Sequence, residues 1–166
     1  MTVGARTVAN GMLDAAEHAR SSIDPLQMQK LLYLAQGWTL GLTGDPLFRE
    51  PIEAWEYGPV VPEIYHSVKM FGASPIRGRL RAFNHVRRQV VIASELLDEL
   101  ESEILKAVWE KYGSWPGSKL ISLTHQYGSP WWQARHSGEY NARISHTAMI
   151  DWFAEEAEKA SLLNYP

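Results

Sequence analysis

Residues 23–71 read IDPLQMQKLLYLAQGWTLGLTGDPLFREPIEAWEYGPVVPEIYHSVKMF, and this stretch decides the fold. Its first half predicts a helix with a marked start, because Asp24 is a favourable N-cap and Pro25 suits the first helical position. Gln27, three residues after Asp24, completes a capping box. The apolar residues at helical spacing are Leu31, Leu34, Ala35, Trp38 and Leu42, with Leu32 and Leu40 widening the stripe. A stripe this wide predicts a central core helix, which we expect to end between Gly41 and Gly44.

The second half of the stretch predicts a strand, a turn and a helix. Residues 52–57 are aromatic-rich and bounded by prolines, which is typical of a short strand or extended segment. Gly58 precedes a proline and is therefore excluded from the helical region of backbone angles, so Tyr57-Gly58-Pro59 predicts a turn. Pro62 is suited to open the next helix.

The rest of the chain is mainly helical in pattern. Helices are predicted at about 7–20, at 94–112 with Ser94 as N-cap and Leu100 facing inward, at 116–126, and after Ser145. Residues 89–92 are a candidate second strand, and whether they pair with the segment around Trp55 stays open. The predicted fold class is mostly α, a compact helical bundle with at most one small two-stranded sheet. The absence of repeats and linkers predicts a single domain over residues 1–166.

Composition sets the broad class of protein. The 166 residues are 45% hydrophobic and 21% charged, which is ordinary for a soluble globular protein. The chain has no cysteine, so disulfides, thiolate zinc sites and cysteine nucleophiles are excluded. No stretch has the length and apolarity of a signal peptide or a membrane span. We therefore expect a cytoplasmic protein with no membrane partner.

Motifs for catalysis or metal binding are missing from the sequence. There is no nucleophile elbow, no complete phosphate-binding loop, and no pair of histidines three or four residues apart. His125 follows a predicted helix, where a histidine commonly caps the final carbonyls. The sequence thus predicts a protein that is not an enzyme and carries no metal and no cofactor.

Charge is unevenly distributed along the chain. Residues 64–94 contain no acidic residue, and the cations among them are Lys69, Arg77, Arg79, Arg81, Arg87 and Arg88. One interpretation places this basic segment beside an acidic helix of the same molecule. The other makes residues 69–88, with Arg79, Arg81, Arg87 and Arg88, a basic face for an acidic partner or a nucleic acid. The formal net charge of −3 disfavours nucleic acid as a partner.

Aromatic residues concentrate near the predicted loops. The residues concerned are Trp55, Tyr57, Tyr65, Trp131 and Trp132. They either close the core beneath irregular backbone or anchor a protein interface, for which Tyr and Trp are the preferred residue types. Without catalytic motifs, this pattern favours a binding module.

Several of these segments together resemble a known family. Lys30-Leu31-Leu32-Tyr33 opens the match, residues 44–48 (GDPLF) continue it, and residues 54–60 (AWEYGPV) are its most distinctive part. Leu123-Thr124-His125 and Ser129-Pro130-Trp131 resemble a second block. Residues 30–131 are in this way similar to the Panacea domain of the SocA-like antitoxins, a family also found among phage-associated proteins.

The resemblance implies a non-enzymatic role as an antitoxin that neutralises a cognate toxin by protein–protein contact. It further implies an adaptor mode, in which the toxin is delivered to the protease ClpXP. The residues that the resemblance nominates for partner binding, or as the signature of the fold, are Trp55, Tyr57, Gly58, Pro59, Tyr65, His125 and Trp131. Two alternatives stay open: a phage- or mobile-element-associated interaction protein without a toxin, and a nucleic-acid-binding module that uses residues 69–88.

Overall fold

The computed structural model describes residues 2–163, which form seven α-helices, one 3₁₀ turn and two small antiparallel sheets. The helices are α1 (Ala5–His18), α2 (Pro25–Thr43), α3 (Pro62–Val68), α4 (Glu99–Tyr112), α5 (Gly117–Thr124), α6 (Pro130–Arg135) and α7 (His146–Leu163). The strands are β1 (Glu53–Trp55), β2 (Gly58–Val60), β3 (Arg81–Asn84) and β4 (Gln89–Ile92), and the 3₁₀ turn is Lys69–Phe71. The mostly helical fold class is confirmed. No helix among the described residues has both the length and the apolar character needed to cross a membrane.

Helix α2 is the core helix that its sequence predicts. Asp24 accepts a hydrogen bond from the Gln27 backbone at 2.8 Å, and the Gln27 side chain accepts one from the Asp24 backbone at 2.9 Å. The helix stops at Gly44, which adopts a left-handed conformation with φ of 80°. Its buried residues lie on all sides of the helix, so α2 is surrounded by the other elements.

Helix α7 packs closely against α2 because two glycines open a groove between them. A Cβ on Gly37 would lie 2.1 Å from the Phe153 ring, and a Cβ on Gly41 would lie 2.7 Å from the Phe153 backbone carbon. The ring of Phe153 makes edge contacts with Tyr33 and Trp38 at centroid distances of 5.7 and 5.4 Å. Two helical glycines cost about 1 kcal/mol each in helix propensity, which the close packing of α7 offsets.

Buried amides hold the irregular segments to the helices. Gln36 accepts hydrogen bonds from the backbones of Leu47 and Phe48 and donates one to the Phe48 carbonyl. Asn10 does the same for two other segments, bonding to the backbone of Leu80 and to the Ala93 carbonyl. These side chains satisfy backbone groups that would otherwise be buried without partners.

The sheets differ from the sequence expectation of at most one. Strand β1 pairs with β2, and Trp55 faces Gly58 across this tight hairpin. Residues 89–92 form a strand as predicted, but β4 pairs with β3 and not with the segment around Trp55. The sequence did not predict β3, whose Arg81-Ala82-Phe83-Asn84 alternation is short and follows a glycine-rich and arginine-rich stretch.

The N-cap of helix α4 lies four residues later than predicted. Its N-cap is Asp98, which forms a capping box with Glu101, so the prediction of Ser94 as cap is wrong. The reason lies in Glu95, whose carboxylate accepts a hydrogen bond from the Gly4 backbone at 2.8 Å and pairs with Arg49 at 3.2 Å. These contacts tie the segment before α4 to the start of α1. Leu100, predicted to face inward, is exposed.

Candidate functional site

Lys30 lies at the centre of the cluster formed by the family-like residues. Its side chain is fully buried, and its ammonium donates a hydrogen bond to the Pro59 carbonyl at 3.1 Å. Gly58 has φ of 108°, and a Cβ on it would lie 2.7 Å from Cε of Lys30. The glycine therefore serves both the turn and the close approach of the lysine stem.

Burial sets the protonation of this cluster. Desolvation lowers the pKa of Lys30 to about 7. It also lowers the pKa of His125, as do the positive charges of Lys30 and Arg135. The His125 Nε2 atom is buried and has no hydrogen-bond partner among the described residues. Near neutral pH the cluster thus holds a neutral imidazole beside a lysine that is close to its titration point.

Trp131 joins the two blocks of family-like residues. Its ring stacks on His125 with centroids 3.7 Å apart and planes within 5°. Its indole N–H donates a hydrogen bond to the Trp55 carbonyl at 2.8 Å. Ser129 accepts a hydrogen bond from the Trp132 backbone at 3.2 Å and so caps α6, which carries the ring. We call Lys30, Gly58, Pro59, His125 and Trp131 the signature cluster.

Next to the signature cluster the surface forms an aromatic cleft of about 510 Å³. Trp55 and Tyr65 meet edge to face at 4.9 Å, and the Trp55 indole donates a hydrogen bond to Glu53 at 2.7 Å. Tyr57 is 66% exposed and Tyr65 is 39% exposed. The aromatic cleft is lined by Leu26, Trp55, Tyr57, Val60, Tyr65, Arg135 and Tyr140, among others. Partly exposed tyrosines around a concavity of this size are suited to receive an anchoring side chain.

The predicted site residues therefore separate into two groups. Gly58, Pro59, His125 and Trp131 lie in the signature cluster and hold the β1–β2 hairpin to α2, α5 and α6. Trp55, Tyr57 and Tyr65 line the aromatic cleft.

Lys30 was predicted only as the first residue of the family-like segment 30–33, and no role was predicted for Gln29. Gln29 accepts a hydrogen bond from the Val61 backbone at 2.8 Å and donates one back at 3.3 Å, which fixes the chain as it leaves β2. The signal in the sequence was a lysine and a glutamine within an otherwise apolar helical stripe. Buried polar side chains of this kind are retained where they satisfy a backbone group.

Of the four arginines proposed as a basic face, Arg79 is set apart from the other three. Arg79 pairs with Asp14 at 2.7 Å and with Glu17, both on α1, so its charge is neutralised within the molecule. Arg81, Arg87 and Arg88 lie on the exposed β3–β4 hairpin and form no ion pair with a described residue. Inside the molecule, Arg79 of the basic segment is paired with α1, and no ion pair of the described residues joins the segment to the acidic residues between 95 and 103.

The indole hydrogen bond of Trp131 gives a first testable prediction. Phenylalanine at this position keeps a ring against His125 but leaves the Trp55 carbonyl without its donor, so Trp131→Phe is expected to lower the free energy of unfolding by about 2 kcal/mol. Urea denaturation measures the loss. Trp132→Phe is the matched control, since the Trp132 indole donates no hydrogen bond to a described residue. Equal losses in the two variants would contradict the assigned role.

Within residues 2–163 no group of three or more histidine, aspartate or glutamate side chains is placed to hold a metal ion.

Comparison with known proteins gives two matches that cover most of the chain. A family model described as antitoxin SocA-like, Panacea domain, matches residues 28–132. The chain is 35% identical over 130 residues to Antitoxin SocA of Caulobacter vibrioides (strain NA1000 / CB15N), which covers 78% of this chain and 69% of that protein. No solved structure matches the chain. The matches confirm the resemblance inferred from the two blocks of residues between 30 and 131.

Proposed function

The chain belongs to the SocA-like antitoxin family with a Panacea domain, and from this membership we propose that it neutralises a cognate toxin by direct protein–protein contact. The observation that carries the proposal is the 35% identity to Antitoxin SocA over 78% of the chain. In this proposal the protein acts without catalysis or cofactor, in the cytoplasm, and its whole length of 166 residues is one domain.

We place the toxin contact at the aromatic cleft. Tyr57 and Tyr65 supply large amphipathic side chains at a low cost in conformational entropy, and both are already partly exposed. The signature cluster fixes the β1–β2 hairpin in place. This hairpin carries Trp55 on its first strand and Tyr57 in its turn. A rigid support of this kind reduces the ordering cost on binding.

Neutralisation has two modes in this proposal. In the first, the bound antitoxin blocks the active surface of the toxin. In the second, it acts as an adaptor and delivers the toxin to ClpXP for proteolysis. The competing function is that of an interaction protein from a phage or mobile element, with the same fold and no toxin.

A growth rescue with the product of the adjacent open reading frame tests the proposal. Induction of that gene alone is expected to arrest growth, and coexpression of this chain is expected to restore growth and to give a complex that co-purifies. Rescue that persists in cells lacking ClpP indicates blocking, whereas rescue that is lost there indicates delivery to the protease. A harmless neighbour that does not co-purify would contradict the antitoxin role and favour the interaction protein.

The aromatic cleft gives a prediction for the same complex. Tyr57→Ala is expected to weaken the affinity for the toxin about tenfold or more, because exposed interface tyrosines are frequent hot spots. Isothermal titration calorimetry measures the dissociation constant. Tyr127→Ala is the matched control, since Tyr127 is also strongly exposed but does not line the cleft. An unchanged affinity in the Tyr57 variant would remove the cleft from the toxin contact.

A further inference from the structure

The β3–β4 hairpin, residues 81–92, stands out from the helices as an arm. Its strands pair with each other over four residue pairs, from Arg81 opposite Ile92 to Asn84 opposite Gln89. The arm is fixed at its base, where Asn10 bonds to the backbones of Leu80 and Ala93. An isolated two-stranded hairpin is only marginally stable in water, so its position depends on this base.

One face of the arm carries three apolar side chains and Arg81, all open to solvent. Phe83 lies opposite Val90 across the hairpin, and the two are 53% and 59% exposed. Ile92, on the same face by the alternation of the strand, is 52% exposed. Three large apolar side chains on one face of a short hairpin form a contiguous patch, which marks an interaction surface more often than a free one.

The charged residues of the arm itself are all of one sign. Arg81, Arg87 and Arg88 lie on the arm, form no ion pair with any residue that the structure describes, and have no acidic neighbour in the sequence between 64 and 94. The free arginines therefore favour a partner that brings carboxylates, because opposite charges at the rim steer association and fix register.

The outer edge of β4 is available for pairing. Among the described residues, the backbone of Gln89–Ile92 is hydrogen-bonded only to β3. The corresponding edge of β3 is partly covered, since the Arg6 guanidinium donates a hydrogen bond to the Arg81 carbonyl at 2.6 Å. An open edge beside an apolar face is the arrangement that receives an extended segment by strand addition.

We propose that the arm is a second contact for the toxin, and that an extended segment of the toxin pairs along the β4 edge. Apolar side chains of that segment contact Phe83, Val90 and Ile92, and its carboxylates pair with the arginines of the arm. This inference rests on the proposed antitoxin function and adds the surface and the chemistry of the partner. A nucleic acid fits less well, because Val90 and Ile92, two of the three apolar side chains of the surface, neither stack on bases nor bind phosphate.

The arm also lies close to the element that carries the aromatic cleft. Arg6, which bonds to the Arg81 carbonyl, pairs through its other terminal nitrogen with Glu63 on α3 at 3.2 Å. The same short helix presents Tyr65 to Trp55. One toxin could therefore contact both surfaces, with α3 between them.

The test uses the full chain and the protein encoded by the adjacent open reading frame. The double variant Phe83→Ser/Val90→Ser is expected to weaken the affinity at least tenfold, and Arg87→Glu/Arg88→Glu is expected to slow association and to remove most of its salt dependence. Calorimetry and stopped-flow kinetics measure these effects. Leu42→Ser is the matched control, because Leu42 is 55% exposed at the far end of α2. Circular dichroism shows whether each variant keeps its fold.

The outcomes separate the two proposals. Wild type that binds the toxin, together with arm variants that bind equally well, would overturn the role of the arm and leave the antitoxin function standing. Wild type that does not bind the toxin overturns both. Loss of binding to a labelled random-sequence DNA duplex in the arginine variant, with toxin affinity unchanged, would reassign the arm to nucleic acid. A loss of toxin affinity in both arm variants and not in Leu42→Ser supports the proposal.

Discussion

Replacement of Gly37 by alanine is expected to lower the free energy of unfolding by about 3 kcal/mol or more, although alanine is the better helix former by about 1 kcal/mol. The new Cβ would lie 2.1 to 2.6 Å from three atoms of the Phe153 ring. The ring has no room to move away, because it is buried and held between Tyr33 and Trp38. The clash between the new Cβ and the ring can therefore be relieved only if α7 moves away from α2, and this movement loses the contacts around Phe153.

Urea denaturation followed by circular dichroism measures this effect. Gly11→Ala is the matched control: Gly11 is also inside a helix, but its Cβ would meet only the terminal methyl of Leu105, at 2.9 Å. We expect the control to be close to neutral, since a leucine methyl can rotate away and the helix gains propensity. A Gly37→Ala protein as stable as the control would show that α7 is not held in the groove described for it.

Replacement of Lys30 by methionine is expected to remove a rise in stability that the wild type shows between about pH 7 and pH 10. Burial lowers the pKa of Lys30 in the folded protein to about 7, whereas its ordinary value is 10.5. Between these values the unfolded chain binds a proton that the folded chain does not, so the free energy of unfolding increases as the pH rises. Below pH 7 the lysine is protonated in both states, and this contribution to the pH dependence ends.

The expected size follows from the same shift. From about pH 7 to about pH 9.5 the wild type should gain roughly 3 kcal/mol through Lys30, and Lys30→Met should gain none of it. The measurement is the difference in unfolding free energy between the two proteins over this pH range. Burial raises the pKa of Tyr33, which lowers stability above about pH 10, but both proteins contain Tyr33 and its effect cancels in the difference.

Methionine keeps the length of the lysine stem against Gly58 but cannot donate to the Pro59 carbonyl. At high pH we therefore expect the variant to be the less stable protein by about 1–2 kcal/mol. At neutral pH we expect it to be the more stable protein, because the removal of the buried charge outweighs this loss. Parallel stability curves for the two proteins would show that Lys30 is not desolvated as described.

Much of the candidate site could be predicted, but only as residues and not as an arrangement. The sequence nominated Gly58, Pro59, His125 and Trp131, and the structure brings them together around one lysine. Their separation into a buried cluster and an exposed cleft was not predictable, because burial depends on which distant segments pack over a side chain. Lys30 shows this most clearly: a lysine is almost never fully buried, and only its tertiary neighbours place it there.

The sequence by itself determined the central helix, its two ends and the family. Asp24 and Gln27 cap the start of the helix and Gly44 ends it. Each of these signals acts on backbone groups within about one helical turn of itself, so it can be recognised from a few consecutive residues. Tertiary structure decided the start of α4, the pairing of β3 with β4 and the exposure of Phe83 and Val90. The physical reason is the same in each case. Asp98 replaces Ser94 as cap because Glu95 is held at α1, and strand pairing and burial likewise depend on contacts between residues far apart in the chain.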